Sequence, residues 1–357
     1  KGLAAIVLVA FLGMVLFSGG CAPFETEKGQ AAPVEELDGR LSGANNQLGF
    51  DIFRLLAAEE EGENLFISPA SILAALAMTY NGAEGETRRA MEDTLQIGEM
   101  SREELNDAFA DLLTILQNPD PKVEMAVANS LWAREGIDFI EDFLQRNEEY
   151  FKAEIAELDF DDPEAVEVIN SWVERKTGGK IEGIVEPPID PLTVLFLINA
   201  IYFKGEWAEQ FDPKLTRDIP FTLADGTKRE HPVMFRDDQF SYLENDLFQA
   251  VRLPYGENER IGMYVFLPRE EAGLEGLYKE LSADSWAEWT GSFTPASGEV
   301  GLPRFEFEFE ASLNEVLKDL GMEIAFDELA ADFSGMREIP PRLFISDVKH
   351  KSFIEVN

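Results

Sequence analysis

The segment VLFLINAIYFKGEW, Val194–Trp207, decides how the rest of the chain is read. It is an apolar run of strand length, interrupted by one amide, Asn199. A run without polar alternation describes a strand covered on both faces. Burying an unpartnered amide in such a strand costs about 1–3 kcal/mol. Asn199 therefore predicts a second, sequence-distant polar group at the same depth, and His350 is the best candidate. The plainer alternative is that Asn199 ends an edge strand.

Working outward, the 357 residues suit one large domain or two ordinary ones, and 45% hydrophobic content is ample for a core. Sixty-nine acidic and 30 basic residues give a formal charge of −39. That balance argues against nucleic acid or an anionic membrane surface as a partner. Acidic clusters such as Glu59–Glu61, Asp161–Asp162 and Glu270–Glu271 read as solvated faces and turns, without calcium-loop spacing. Cys21 is the one cysteine, which excludes an intramolecular disulfide. His231 and His350 are the only histidines, and no HExxH or CxxC occurs, so neither metal nor cofactor is expected.

Gly2–Gly20 is uncharged and mostly apolar, and small residues Ser18, Gly19 and Gly20 precede Cys21. This is the layout of a signal peptide over residues 1–20, and it is similar to a bacterial lipobox, in which the cysteine is lipidated. Ser18 stands where leucine is usual. An uncleaved anchor is the alternative, since the run nearly matches a bilayer. Residues 21–44, rich in Pro, Glu, Gln and Gly, read as a flexible tether. The expected location is extracellular or cell-surface, with membrane attachment only through the lipid. Lys1 is not Met and the final residues stop inside a strand pattern, so both ends read as cuts in a longer gene product.

A folded region is expected over 45–357, helical in its first half and strand-rich in its second. Asn46–Ala58 has helical spacing, and Leu65–Ile67 reads as a short strand. Ser68-Pro69 is an N-cap with proline in the first turn, opening a helix that stops at Asn81-Gly82. Helices are expected through Ala90–Leu95, Glu103–Leu116, Glu141–Phe151 and Pro163–Lys176, with a strand at Val123–Trp132. Beyond Val194–Phe203 come strands Ile219–Leu223, Lys228–Met234, Phe240–Leu243, Phe248–Pro254 and Gly262–Leu267, then a short helix at Leu274–Leu281. FEFEFE, Phe305–Glu310, alternates, so phenylalanines face a core and glutamates face water. Ser312–Leu320 reads as a helix closed by Gly321, and Leu343–Asn357 alternates again. The buried run at Val194 has no partners nearby in sequence, which implies one intertwined domain.

These segments, in this order, resemble the serpin family. The resemblance covers Asn45–Asn357 and rests on NLFISPASILAALAMTYNGAEGET, VANSLWAREG, INSWVERKTGGKIEGIV, VLFLINAIYFKGEWAEQFDPKLT, LPYG, YVFLPRE, LPRFEFE, LGMEIAFDELAADFSGM and ISDVKHKSFIEVN. It implies an α+β fold of about nine helices and three sheets, one of them large and central. It also implies a strained reactive loop that a protease cleaves to form an acyl-enzyme, after which the loop enters the large sheet as an extra strand. The sequence stops at Asn357, where the family continues into hinge, reactive loop and last strands, so the reactive bond is expected beyond it. The implied partner is a serine protease, with cysteine proteases the lesser alternative, and the implied state is a monomer.

Along Phe344–Val356, residues of one parity are Phe344, Ser346, Val348, His350, Ser352, Ile354 and Val356, which turns His350 inward. By resemblance, Ser68, Ser71, Asn199 and His350 match the family's shutter, beneath the place where the sheet parts. Trp207 matches the breach, where the loop first enters; its alternative is an ordinary core aromatic. Ser101–Gln117 carries Arg102 as its only base, which argues against a heparin-like activator.

Two classes of rival function stand beside this resemblance: an enzyme, and a non-inhibitory relative. Lys176-Thr177-Gly178 and Ser346–Lys349 spell the KTG and SxxK boxes of penicillin-interactive serine hydrolases, but in the wrong order, on the wrong elements and without SDN. No GxSxG serves a Ser-His-Asp hydrolase, and Gly178-Gly179-Lys180 reads as a turn rather than a phosphate loop. The other rival is a non-inhibitory member of the same family, acting as a binding or structural protein.

Overall fold

Ser68 caps the helix on which the molecule is assembled. The computed structural model describes residues 37–357 except 61, 118–119, 224–225 and 341. The expected signal segment, Cys21 and the tether up to residue 36 lie outside the described residues. The first helix, α1 (Gly39–Glu59), begins six residues before Asn45, so residues 39–44 are helix rather than tether. Leu41 and Ala44 explain the earlier start: they extend the buried stripe of Leu48, Ile52, Phe53 and Leu56 by one turn.

α2 (Pro69–Tyr80) follows, with Ser68 Oγ accepting from the Ser71 N–H at 3.4 Å. Nearly all of α2 is buried, because it runs through the centre of the molecule. α3 (Gly85–Leu95), α4 (Arg102–Gln117), α5 (Glu141–Phe151) and α6 (Glu164–Lys176) complete the helical half. Three short helices, α7 (Gly273–Glu280), α8 (Ala283–Thr290) and α9 (Asn314–Leu317), belong to the second half, giving nine α-helices among the described residues. The helix expected to run to Leu320 is regular only to Leu317. It continues through a wide turn at Lys318–Met322, where Gly321 has φ of 113°.

The strands form three sheets among the described residues. β1 (Val123–Arg134) pairs in parallel with β2 (Glu154–Leu158) and antiparallel with β3 (Leu195–Gly205). β9 (Phe305–Ser312) pairs antiparallel with β10 (Lys349–Val356). The third sheet runs β4 (Arg217–Thr222), β5 (Lys228–Glu244), β6 (Phe248–Tyr255), β7 (Ile261–Pro268), with β8 (Thr294–Pro303) also paired to β5. Two strands expected at Lys228–Met234 and Phe240–Leu243 are one. The exposed residues between them break the apolar pattern, but the ladder to β8 runs from Val233 to Tyr242 without interruption.

The three-stranded and two-stranded sheets share one layer, the large central sheet. Alternation sends Leu195 and Leu197 of β3, with Phe307 and Phe309 of β9, into the main core on one side. It sends Phe196, Ile198 and Ala200 of β3, with Phe353 of β10, into a smaller core under α6 on the other. The central strand is therefore covered on both faces. Trp172 and Ile169 of α6 anchor the outer core at 2% and 0% exposure, and each such side chain contributes about 1.5–3 kcal/mol.

Candidate functional site

β3 carries a full ladder to β1 on one edge, from Leu195↔Ala133 to Gly205↔Val123. Its other edge faces β10, and among the described residues no backbone hydrogen bond joins the two. The central sheet is thus parted along a seam. Segments on both faces of the layer span it.

On the inner face the N-terminus of α2 does so. The Ser68 N–H donates to His350 Nε2 of β10 at 3.2 Å, and the Ser71 hydroxyl donates to Asn199 Oδ1 of β3. The Ser68 side chain closes the span by accepting from the Ser71 N–H. Beyond β3 the polar row continues: Asn199 Nδ2 donates to Asn129 Oδ1 at 2.7 Å, and Asn129 Nδ2 donates to the Phe151 carbonyl at 2.6 Å. Asn129 lies directly opposite Asn199 in the ladder. On the other side, the Ser352 hydroxyl donates to the Phe66 carbonyl.

Every predicted shutter residue lies in this row, but His350 and Asn199 do not bond each other. The α2 terminus stands between them, so the distant partner expected for Asn199 is Ser71, with Asn129 as its second. The capping residue Ser68 presents its own backbone donor to the ring. His350 is 5% exposed, as its strand parity requires, together with Ser352, Ile354 and Val356. Burial pushes its pKa down to about 4. With Nε2 accepting from Ser68, the neutral ring holds its proton on Nδ1.

Two participants, Asn129 and Ser352, were not singled out by the sequence. Asn129 carried the same signal as Asn199, an amide inside an apolar strand, and is 2% exposed. Ser352 shares the buried parity of His350.

Trp207 sits just beyond the upper end of β3. Its ring stacks on Tyr255 at 4.3 Å and meets Phe211 edge-on at 6.0 Å. An isolated bridge, Trp207↔Tyr255, ties this end to the third sheet. Gly205 permits the approach, since a Cβ there would stand 2.7 Å from the Tyr255 ring.

The rival motifs are occupied otherwise. Thr177 Oγ1 donates to the Val173 carbonyl at 3.0 Å and accepts from the Ile181 N–H at 3.1 Å, finishing α6. Ser346 lies in the irregular lead-in to β10, its carbonyl accepting from Asn314. His231 sits on β5 with Nε2 at 2.5 Å from the Arg304 carbonyl. Arg102 donates to the Ala83 carbonyl at 2.8 Å and pairs with Glu84. Among the described residues no group of three His, Cys, Asp or Glu is placed to hold a metal ion, and no helix is long and apolar enough to cross a membrane.

Chemically, the row can do one thing well. Polar bonds between strands and a central helix exchange partners with little net loss, whereas an apolar plug leaves a void when pulled apart. Along the seam β3 and β10 are held by polar bonds of this kind rather than by a ladder.

Comparisons agree with this geometry. The family profile for Serpin (serine protease inhibitor) matches residues 43–357. Serpin B8 of Homo sapiens is 37% identical over 327 residues, covering 89% of this chain and 85% of that protein. Leukocyte elastase inhibitor of Equus caballus is 35% identical over 329 residues, covering 89% and 86%. The native-state crystal structure of tengpin, a thermophilic serpin, matches with a TM-score of 0.82 at 32% identity, over 90% of this chain and 81% of that one.

Proposed function

The chain belongs to the serpin family, and from that premise we propose that the full-length protein is a suicide inhibitor of a serine-type endopeptidase. The observation that carries the reading is the seam, whose two facing edges lack a ladder while a polar row holds them from below. The bait bond lies C-terminal to β10. The protease's serine attacks the bait carbonyl, forming an ester with the N-terminal part and releasing the C-terminal part as an amine. The freed segment then enters between β3 and β10 and gains main-chain bonds on both sides, which drives the motion and carries the acylated protease with it. The family description and the name of the horse relative support inhibition as the activity.

The test is incubation of the full-length protein with a panel of serine and cysteine proteases. Covalent complexes that survive boiling in detergent are expected with at least one serine protease. Cleavage by every protease without a complex, and with no gain in thermal stability, would instead make the protein a non-inhibitory binding or structural member.

The anchoring is a separate proposal. Cys21 carries a lipid after removal of residues 1–20, and the inhibitor is displayed at a cell surface as a monomer. The uncharged run of Gly2–Gly20 before the lone cysteine supports it. Metabolic labelling with a palmitate analogue should mark the wild type and not Cys21→Ser, and equal label in both would end the idea.

A further inference from the structure

The segment leaving α6 crosses the outer face of the seam. Thr177 ends the helix, and Gly178 and Gly179, with φ of 60° and 79°, turn the chain back. The turn presses on β3, since a Cβ at Gly178 would stand 3.4 Å from the Tyr202 ring. From there residues 180–186 run over the layer. Asn170 of α6 holds them from above, its Oδ1 accepting from the Ile184 and Val185 N–H groups at 3.0 Å and its Nδ2 donating to the Val185 carbonyl at 2.8 Å. Ile181 and Val185 are buried in the outer core with Phe196, Ile198 and Ala200 of β3.

The far side of this strap is tied to β10 by charge. Lys180 Nζ donates to Glu355 Oε2 at 3.0 Å and sits 4.5 Å from the centre of the Phe353 ring. Six residues further along each segment, Lys349 Nζ pairs with Glu186 Oε2 at 3.5 Å. The two ties are equally spaced and run in opposite directions, 180 to 186 against 355 to 349. The strap therefore lies lengthwise and antiparallel to β10, over about 20 Å of strand. It covers the line where β3 and β10 lack a ladder.

We propose that Lys180 is the latch of this strap, holding residues 180–186 down across the seam so that the segment must lift before a strand can enter. What it gates rests on the function proposed above; the latch itself does not. Lys180 is the stronger of the two ties. It combines an ion pair with a cation–π contact, and Glu306, directly opposite Glu355 in the β9–β10 ladder, adds negative field. The Lys349–Glu186 pair leaves its glutamate 79% exposed and accordingly weak.

Salt gives the latch a signature. In a chain with 69 acidic and 30 basic residues, added salt screens net repulsion and tightens the molecule as a whole. The latch is an attraction, so salt should loosen the strap alone.

Hydrogen–deuterium exchange on the full chain, at low and high sodium chloride, reads this with no protease present. Lys180→Met should raise exchange of peptides covering 180–186 and 349–356 together, by about fivefold to tenfold. High salt should do the same to the wild type and add little to the variant. Lys318→Gln, which removes a comparable ion pair with Glu315, should leave both peptides unchanged. Unchanged exchange in Lys180→Met, or a rise confined to 180–186 without 349–356, overturns the latch. Failure to trap any protease with the exchange pattern intact would sink the proposed function and leave the latch standing.

Discussion

The two edges of β3 are opposites. Toward β1 the strand is laddered along its whole length, with α6 and α2 packed over its faces. Toward β10 there is no ladder, and the contact passes through serine hydroxyls, two backbone N–H groups and a neutral imidazole. Apolar burial makes the first edge permanent. Hydrogen bonds with small net energies make the second reversible. The same strand thus separates a fully laddered edge of the sheet from one held by polar side-chain and capping contacts.

The laddered side is the more costly to disturb. Trp172→Ala empties the outer core beside β3 and β1, where the ring meets Trp132 edge-on at 6.1 Å and Nε1 donates to Glu154. It should lower unfolding free energy by about 3–5 kcal/mol in a denaturant titration. A loss below 1 kcal/mol would mean that α6 does not anchor that half.

The next effect belongs to the seam and depends on pH. His350 has its pKa lowered to about 4 by burial, against 6.5 for the free side chain. Between these values the unfolded chain binds the proton and the folded one does not, so stability falls as pH falls. The contribution is fully present above about 6.5 and is lost towards 4, amounting to about 3 kcal/mol. Carboxylates such as Glu355, held low by Lys180, keep their charge through most of that window. Denaturant midpoints at pH 7 and pH 4.5 should therefore differ in the wild type and much less in His350→Gln. Equal pH slopes in both would remove His350 from the account.

Much of this was legible. The two-residue period placed His350, Ser352, Ile354 and Val356 on the buried face of β10, because alternation survives whatever the partner strand is. The apolar run marked β3 as central for the same reason. What escaped notice depends on groups without a sequence signature. The partner of His350 is the backbone N–H of Ser68, which any residue but proline would carry. Leu65–Ile67 forms no ladder, and its Phe66 carbonyl accepts from the Ser352 hydroxyl instead of from a neighbouring strand. β2 and α8 are short, and α8 rests on a Ser282–Ser285 capping box and on Trp286 and Trp289 packing against Phe266. The strap over the seam was visible as a Gly-Gly turn, but nothing in it pointed to Glu355, 175 residues away.

Smaller effects test the row link by link. His350→Ala strips the Ser68 N–H of its acceptor while leaving Asn199 paired to Ser71 and Asn129. It should cost about 1–3 kcal/mol and promote opening and polymerisation on native gels; a variant that melts and stays monomeric like the wild type contradicts the shutter role. Ser352→Ala removes one bond to the Phe66 carbonyl. It should cost about 0.5–1.5 kcal/mol, read by thermal unfolding, without polymerisation.

The inhibitory mechanism proposed above needs the open edge of β3 to take an added strand. The direct measurement is the melting temperature of the full-length protein before and after cleavage of the segment that follows β10. A strand entering the seam gains ladders on both sides, so cleavage should raise the midpoint by about 10 °C or more. An unchanged or lower midpoint after complete cleavage would contradict the account.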